Sequence, residues 1–277
     1  LPPAREVKHD MATVSSGNVV IFGAGGPVGA ATIASLKDHY TLRSTDAIPL
    51  QQVVDEERRQ SPAAPLPEIL GAPHENRVVD VRDYEQVRDA CVGMDAAINL
   101  TVVRPHPEMA FTVNMVGAYN VAKAAAECGL KRLIHTGPFH TGLNHSADYW
   151  HDHEVVDDVP LHPGDDLYAM SKYLGNQVTR VFAERQGVET LTYLFCGFRP
   201  REILPEQRGR GVGSFTVSWE DTGESILCGL RAPAMENPYE VFFIAAETPD
   251  RKHRVDKARR LLGWQATDTW EEMYRRS

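Results

Sequence analysis

Residues 18–29 read Asn-Val-Val-Ile-Phe-Gly-Ala-Gly-Gly-Pro-Val-Gly, a short β-branched run that breaks into glycines and leads into the small residues of 30–36. Valine and isoleucine favour a pleated strand at 19–22, and the glycines permit a tight turn into a helix. Pro27 suits the first helical turn, where its missing N–H has no intrahelical acceptor to lose. In such a strand-turn-helix the glycines let the backbone approach a pyrophosphate, and the helix N-terminus favours its negative charge. Gly23, Gly25, Gly26, Pro27 and Val28 are therefore expected to cradle the phosphates of a dinucleotide.

The alternation continues on both sides of this stretch. Short apolar runs at 40–45, 77–79, 96–100, from 133, and 190–195 predict strands, and the segments 84–91, 110–128 and 167–186 predict helices. Strands separated by helices form parallel βαβ units. The fold class expected is α/β, a Rossmann-type doubly wound parallel sheet with helices on both faces. Residues 51–67, rich in charge and proline without a period, read as a surface excursion. Strands at 215–218 and 241–245 with a helix at 220–230 should form a small C-terminal substrate lobe. The organisation expected is an N-terminal arm at 1–17, an NAD-binding domain at 18–198 and a substrate lobe at 199–277 interwoven with the sheet.

Asp46 ends the second strand, where a carboxylate can accept hydrogen bonds from both adenosine ribose hydroxyls and repel the extra phosphate of NADP. NAD is the expected cofactor. Arg43, close by, raises the NADP alternative, but its side chain is expected along the strand body.

Composition limits the partners. The chain has 277 residues and a net charge of −9, which gives no basic surface for nucleic acid or an acidic membrane. Cys91, Cys128, Cys196 and Cys228 form no CxxC pair, so a reducing, cytoplasmic setting is expected. The first sixteen residues lack an apolar h-region, and no apolar run is long enough to span a bilayer. Neither secretion nor membrane insertion is expected.

Tyr168-Ala169-Met170-Ser171-Lys172 places a phenol and an ammonium four residues apart, on one face of a helix. A nearby ammonium favours the phenolate and draws the phenol toward the working range of a general base. The loop before that helix gathers His140, His145, His151 and His153 with Asp148 and Asp152. Imidazoles and carboxylates are ordinary metal ligands, yet the spacing matches no zinc pattern. A polar pocket rim, without metal, is expected. Tyr149 and Trp150 would pack over the substrate or anchor the loop.

These motifs together resemble the extended short-chain dehydrogenase/reductase superfamily, of the NAD-dependent epimerase/dehydratase type. The likeness runs from Asn18 to the end, through the glycine turn, Asp80-Val81, Asn114 with Gly117 and Asn120, residues 129–133, Tyr168/Lys172 and Leu261-Leu262-Gly263-Trp264. It implies that Tyr168 is the acid/base, that Lys172 lowers its pKa and holds the nicotinamide ribose, and that Asn114 supports a water beside Lys172. It also implies that Asp80 and Val81 face the adenine, with Leu100, Thr101 and Phe195 completing the cofactor contacts. Residues 167–172 with Gly175, 217–221 and 230–233 further resemble uronate dehydrogenases, which oxidise free hexuronic acids with NAD. Relatives dimerise through two long helices, so 114–128 and 167–186 are expected at a homodimer interface.

The pattern breaks at two places. Members carry a serine-serine or serine-threonine pair after the fifth strand, where this chain reads His135-Thr136-Gly137-Pro138. Thr136 keeps one hydroxyl and is the expected stand-in, with His140 and Thr141 as alternatives. Leu194 occupies the place of an arginine usual in the sixth strand, so a substrate carboxylate would fall to Arg199, Arg201, Arg208 or Arg210. The substrate expected is a free sugar, sugar acid or small polyol, because little chain follows the sixth strand to wrap a nucleotide. Its pocket would include Val103, Phe139, His140, Arg201 and Arg208. The alternatives are an epimerase or dehydratase that retains its NAD, and an NAD-binding regulatory protein that has lost turnover.

Overall fold

Apolar strand segments separated by helices build one parallel sheet. The computed structural model describes residues 13–104, 106–139, 153–158 and 162–276. His140, Thr141, His145, Asp148, Tyr149, Trp150, His151 and Asp152 lie outside them. In chain order the elements are β1 (Asn18–Phe22), α1 (Pro27–Leu36), β2 (Thr41–Asp46), α2 (Leu50–Asp55), β3 (Glu75–Val78), α3 (Tyr84–Cys91), β4 (Ala96–Asn99) and α4 (Pro107–Ala110). A π-helical turn (Phe111–Val116) leads into α5 (Gly117–Glu127), followed by β5 (Arg132–Pro138), α6 (Leu167–Gln186), β6 (Glu189–Phe195) and β7 (Gly197–Arg199). The chain ends with β8 (Thr216–Ser218), α7 (Trp219–Arg231), β9 (Tyr239–Phe243), α8 (Asp256–Leu262) and α9 (Glu271–Tyr274).

Seven strands pair in the order β3-β2-β1-β4-β5-β6-β9, all parallel, and β7 pairs with β8 in a separate ribbon. The strand order reverses between β1 and β4, and in open sheets the crevice at that point, beyond the carboxyl ends of the strands, takes the ligand. β4, β5 and β6 are buried along their whole length, as a parallel sheet covered on both faces requires. Alternate residues of β1 serve the two layers: Val19 and Ile21 join the core with Ile33, Tyr193 and Ile226, while Val20 and Phe22 join Val87, Val121 and Leu133. Asp83, Asp166 and Ser218 cap α3, α6 and α7 through their side chains, which satisfies N–H groups that have no partner in the first turn.

Four features depart from the sequence reading. Residues 51–67 include most of α2, which begins at Leu50; only Leu50 and Val53 anchor it in the core, too few apolar positions to show a period. The expected helix at 110–128 is interrupted by the π-helical turn, which contains the buried Asn114. α6 passes so close that a Cβ on Gly175 would lie 2.5 Å from the Asn114 carbonyl oxygen. Within the expected arm, Val14 is buried and its N–H donates to the Leu230 carbonyl at 2.9 Å. β9 joins the main sheet beside β6, leaving chiefly the β7–β8 ribbon, α8 and α9 outside it.

Candidate active site

The turn after β1 is fastened to the end of β2. Gly23 has φ +82°, a conformation that side chains rarely adopt, and a Cβ there would lie 2.9 Å from the Thr101 nitrogen. The N–H groups of Gly23 and Ala24 donate to the Thr45 carbonyl at 3.0 and 2.9 Å. Gly25 donates to Asp46 Oδ2 at 2.9 Å, and Ala47 donates to Oδ1 at 2.8 Å. Burial pushes the Asp46 carboxyl above its usual range, with these N–H groups opposing the shift. α1 then starts at Pro27 with no side-chain cap and no acidic residue in its first turn, leaving its positive end available to an anion.

A cavity of about 280 Å³ opens over this turn, lined by Gly23, Gly26, Asp46, Asp80, Val81, Leu100, Thr101 and Val103 among others. Its glycine floor, carboxylate and uncapped helix fit the adenosine and diphosphate of a dinucleotide. Arg43 lies elsewhere: its guanidinium pairs with Glu75 at 2.9 Å and donates to the Ala90 and Val92 carbonyls. Asp80 is held by the Arg82 guanidinium, which keeps its carboxyl below the usual range.

A second cavity of about 340 Å³ adjoins the first, the two sharing Gln60, Leu100 and Val102. Val28, Arg104, Thr136, Gly137, Pro138, Tyr168, Lys172, Phe195, Cys196 and Phe198 complete its lining. Helical spacing brings Tyr168 and Lys172 to this one cavity, as the sequence predicts. The Lys172 Nζ donates to the carbonyls of Thr101 at 2.8 Å and Thr136 at 3.0 Å. Burial, and secondarily the charge of Arg104, pull its pKa down to about 7. Burial raises the Tyr168 phenol above 10, and Arg104 opposes that rise, through its charge and then through a hydrogen bond. His135, fully buried behind the site, is pushed down to about 3 by burial and the Lys172 charge.

Thr136 lines the cavity, but its hydroxyl donates to the Asn99 carbonyl at 3.0 Å. Asn114 lies behind the site: its amide donates to Val103 O at 2.8 Å and Ser171 Oγ at 3.0 Å and accepts from Val103 N at 2.9 Å. It therefore ties the loop after β4 to α6. Val103 lines the dinucleotide cavity instead of the substrate cavity. Phe139 stacks on Phe215 at 4.9 Å beside a third cavity of about 630 Å³. The expected arginines are engaged away from Tyr168. Arg201 bridges Asp221 at 3.0 Å and Asp268 at 3.1 Å, Arg208 pairs with Glu272 at 3.1 Å, and the Arg199 guanidinium lies 4.9 Å from the Trp270 ring centre. Sequence reasoning missed Gln60, Arg104 and Cys196. Arg104 adjoins the expected Val103, but no spacing rule marks it.

Among the described residues, no group of three or more His, Cys, Asp or Glu side chains could hold a metal ion, and no helix is long and apolar enough to cross a membrane.

The chain is 26% identical to an NAD-dependent glucose-6-phosphate dehydrogenase of Haloferax volcanii over 265 residues, covering 92% of this chain and 94% of the relative. It is 26% identical to a uronate dehydrogenase of Pseudomonas putida over 230 residues, 81% of this chain and 75% of that one. The crystal structure of uronate dehydrogenase from Agrobacterium tumefaciens superposes with a TM-score of 0.72 at 22% identity, covering 93% of this chain and 86% of that one. The model of the NAD dependent epimerase/dehydratase family matches residues 19–199, so the protein built around this glycine turn and Tyr168/Lys172 pair belongs to the NAD-dependent epimerase/dehydratase family.

Proposed function

We propose that the protein is a dehydrogenase that oxidises one hydroxyl of a small sugar or sugar acid, with Tyr168 as general base. The observation that carries this reading is the presence of Tyr168 and Lys172 on the wall of a cavity of about 340 Å³ that adjoins the dinucleotide cradle. NAD, when bound, supplies the hydride acceptor. Gly23, Gly25 and Gly26 would hold its diphosphate, Asp46 its adenosine ribose, and Val28, Leu100 and Phe195 its apolar surfaces. Lys172 uses two donors on the Thr101 and Thr136 carbonyls, and its third is left for the nicotinamide ribose.

At the chemistry, the Tyr168 oxygen receives the proton of the substrate hydroxyl. Thr136 directs its own proton to Asn99, so in this arrangement its hydroxyl can accept from the substrate but not donate to it. The cavity suits one sugar ring better than a sugar joined to a nucleotide. The relatives that act on glucose 6-phosphate and uronates favour the same class. Met109, Tyr119, Leu167 and Val181 are exposed on α4, α5 and α6, which supports a homodimer through these helices. Four free cysteines suit a reducing, cytoplasmic setting.

The test is to incubate the purified protein with NAD and a hexuronate, the matching neutral aldose, glucose 6-phosphate or a UDP-linked sugar while following NADH absorbance. Accumulating NADH with a free sugar, sugar acid or sugar phosphate supports the proposal. Conversion of the UDP-sugar without net NADH would replace it with the epimerase reading.

A further inference from the structure

The ammonium expected to favour a Tyr168 phenolate, and the hydroxyl expected to meet the substrate oxygen beside it, are both engaged with backbone carbonyls. Lys172 points its ammonium at two backbone carbonyls and the Thr136 hydroxyl donates to Asn99. Gly137 and Pro138, the next positions on β5, offer no side-chain donor. One cation is differently disposed. Arg104, in the loop between β4 and α4, lines the same cavity and carries its guanidinium carbon 5.6 Å from the Tyr168 ring centre. No Asp or Glu lines this cavity among the described residues.

We infer that Arg104 is a positioning residue that favours the ionised form of the Tyr168 phenol. The inference rests on Tyr168 being the base. A guanidinium over an aromatic face is attracted by its π-electrons, and ionisation of the phenol enriches that ring in negative charge. The same cation favours the charged state of any acid nearby. Three other groups bear on Tyr168. Asp166, the N-cap of α6 two residues before it, opposes ionisation, and the Cys196 thiol does so to a smaller degree. Burial pushes that thiol up to about 11, so at neutral pH it carries no charge that could replace the arginine. Lys172 sits one turn further along α6, and at a pKa of about 7 it is only partly charged at neutral pH. A guanidinium is a permanent cation in proteins, so its pull on the phenol does not depend on the state of Lys172.

The experiment compares the NAD-loaded wild type, Arg104→Met, Arg104→Lys, Tyr168→Phe and the Arg104→Met/Tyr168→Phe double variant. The ultraviolet difference spectrum between each protein and its Tyr168→Phe counterpart reports Tyr168 ionisation without turnover. In Arg104→Met that titration should move up by about one unit or more, and the acid limb of log kcat/KM should move with it. Arg104→Lys should recover part of both shifts, and KM should change equally for a hexuronate and its neutral aldose. An unmoved titration in folded Arg104→Met overturns the inference. So does a KM increase confined to substrates bearing a carboxylate or phosphate, which would make Arg104 an anion receptor. Full activity of Tyr168→Phe would remove the base assignment itself, while the spectral titration would still decide whether Arg104 acts on this phenol.

Discussion

Asp46 Oδ2 accepts the Gly25 N–H at 2.9 Å, so the carboxylate that ends β2 is fixed to the turn that follows β1. Under the proposed NAD assignment, a ribose hydroxyl entering the crevice would meet an acceptor already oriented by the protein. Asp46→Ala removes that acceptor and the negative charge that repels a 2′-phosphate. NAD affinity should fall about tenfold or more, as for loss of a charged hydrogen bond, and the preference for NAD over NADP should narrow. Fluorescence titration with both cofactors measures this; equal affinity of the unaltered protein for NADP and NAD would refute the assignment.

Because burial raises the Asp46 pKa, the carboxylate takes up a proton at a higher pH than an exposed aspartate. Its charged acceptor is then lost on acidification, so NAD binding should weaken before ordinary carboxylates titrate. Asp46→Asn should lack this acid limb in the same titration repeated across pH. A limb of unchanged position in the variant would assign it to another group.

Tyr168→Phe removes the phenolic oxygen and leaves the ring against the cavity. Turnover should fall by about 100-fold or more, the usual contribution of a positioned proton-transfer group. NAD binding should change little, because the glycine turn, Asp46 and Lys172 remain. Steady-state kinetics and cofactor titration on one preparation test both halves.

The fold was legible because its signals are local. The apolar runs of β1, β4 and β6 and the glycine turn are written in contiguous residues, and the Tyr168/Lys172 pair needs only helical spacing. The assignments that moved depend on distant partners. Arg201 is taken up by Asp221 and Asp268, 20 and 67 residues along the chain, and no sequence period announces that pairing. Arg104 poses the converse problem: nothing distinguishes it from a solvated arginine until β4 and α6 bring it beside Tyr168. Asn114, expected to support a water beside Lys172, instead bonds Val103 and Ser171, and it sits in a π-helical turn that the continuous helical pattern hides.

Arg132, fully buried at the start of β5, pairs with Glu189 at the start of β6 and donates to the Gly229 and Ala232 carbonyls at 2.6 and 2.8 Å. It thereby closes the C-terminal end of α7 against the sheet. Arg132→Met would leave a buried carboxylate unpaired and those carbonyls without their donor. Unfolding free energy should drop by about 3–5 kcal/mol, the usual result of halving a buried pair. Urea denaturation of Arg132→Met, Glu189→Leu and the double variant measures the coupling, and the double variant should lose less than the sum of the two. Simple additivity would show that the pair contributes nothing beyond two separate packing defects.

The proposed dimer makes the last prediction. Tyr119 on α5 and Val181 on α6 are each 43% exposed, and Tyr119 meets Phe182 edge-on at 5.6 Å, so the two helices share an apolar strip at the surface. Two copies facing each other would bury it on both sides of a two-fold axis, each residue entering the interface twice. Val181→Arg therefore places two guanidinium groups in one contact, where desolvation and like-charge repulsion oppose association. Light scattering should give a dimer mass for the parent and a monomer mass for the variant at micromolar concentration. The variant's thermal melt should then fall and vary less with protein concentration, since a dimer is stabilised by mass action and a monomer is not. A monomeric parent would dismiss the interface, and an unchanged dimer in Val181→Arg would move it to another face.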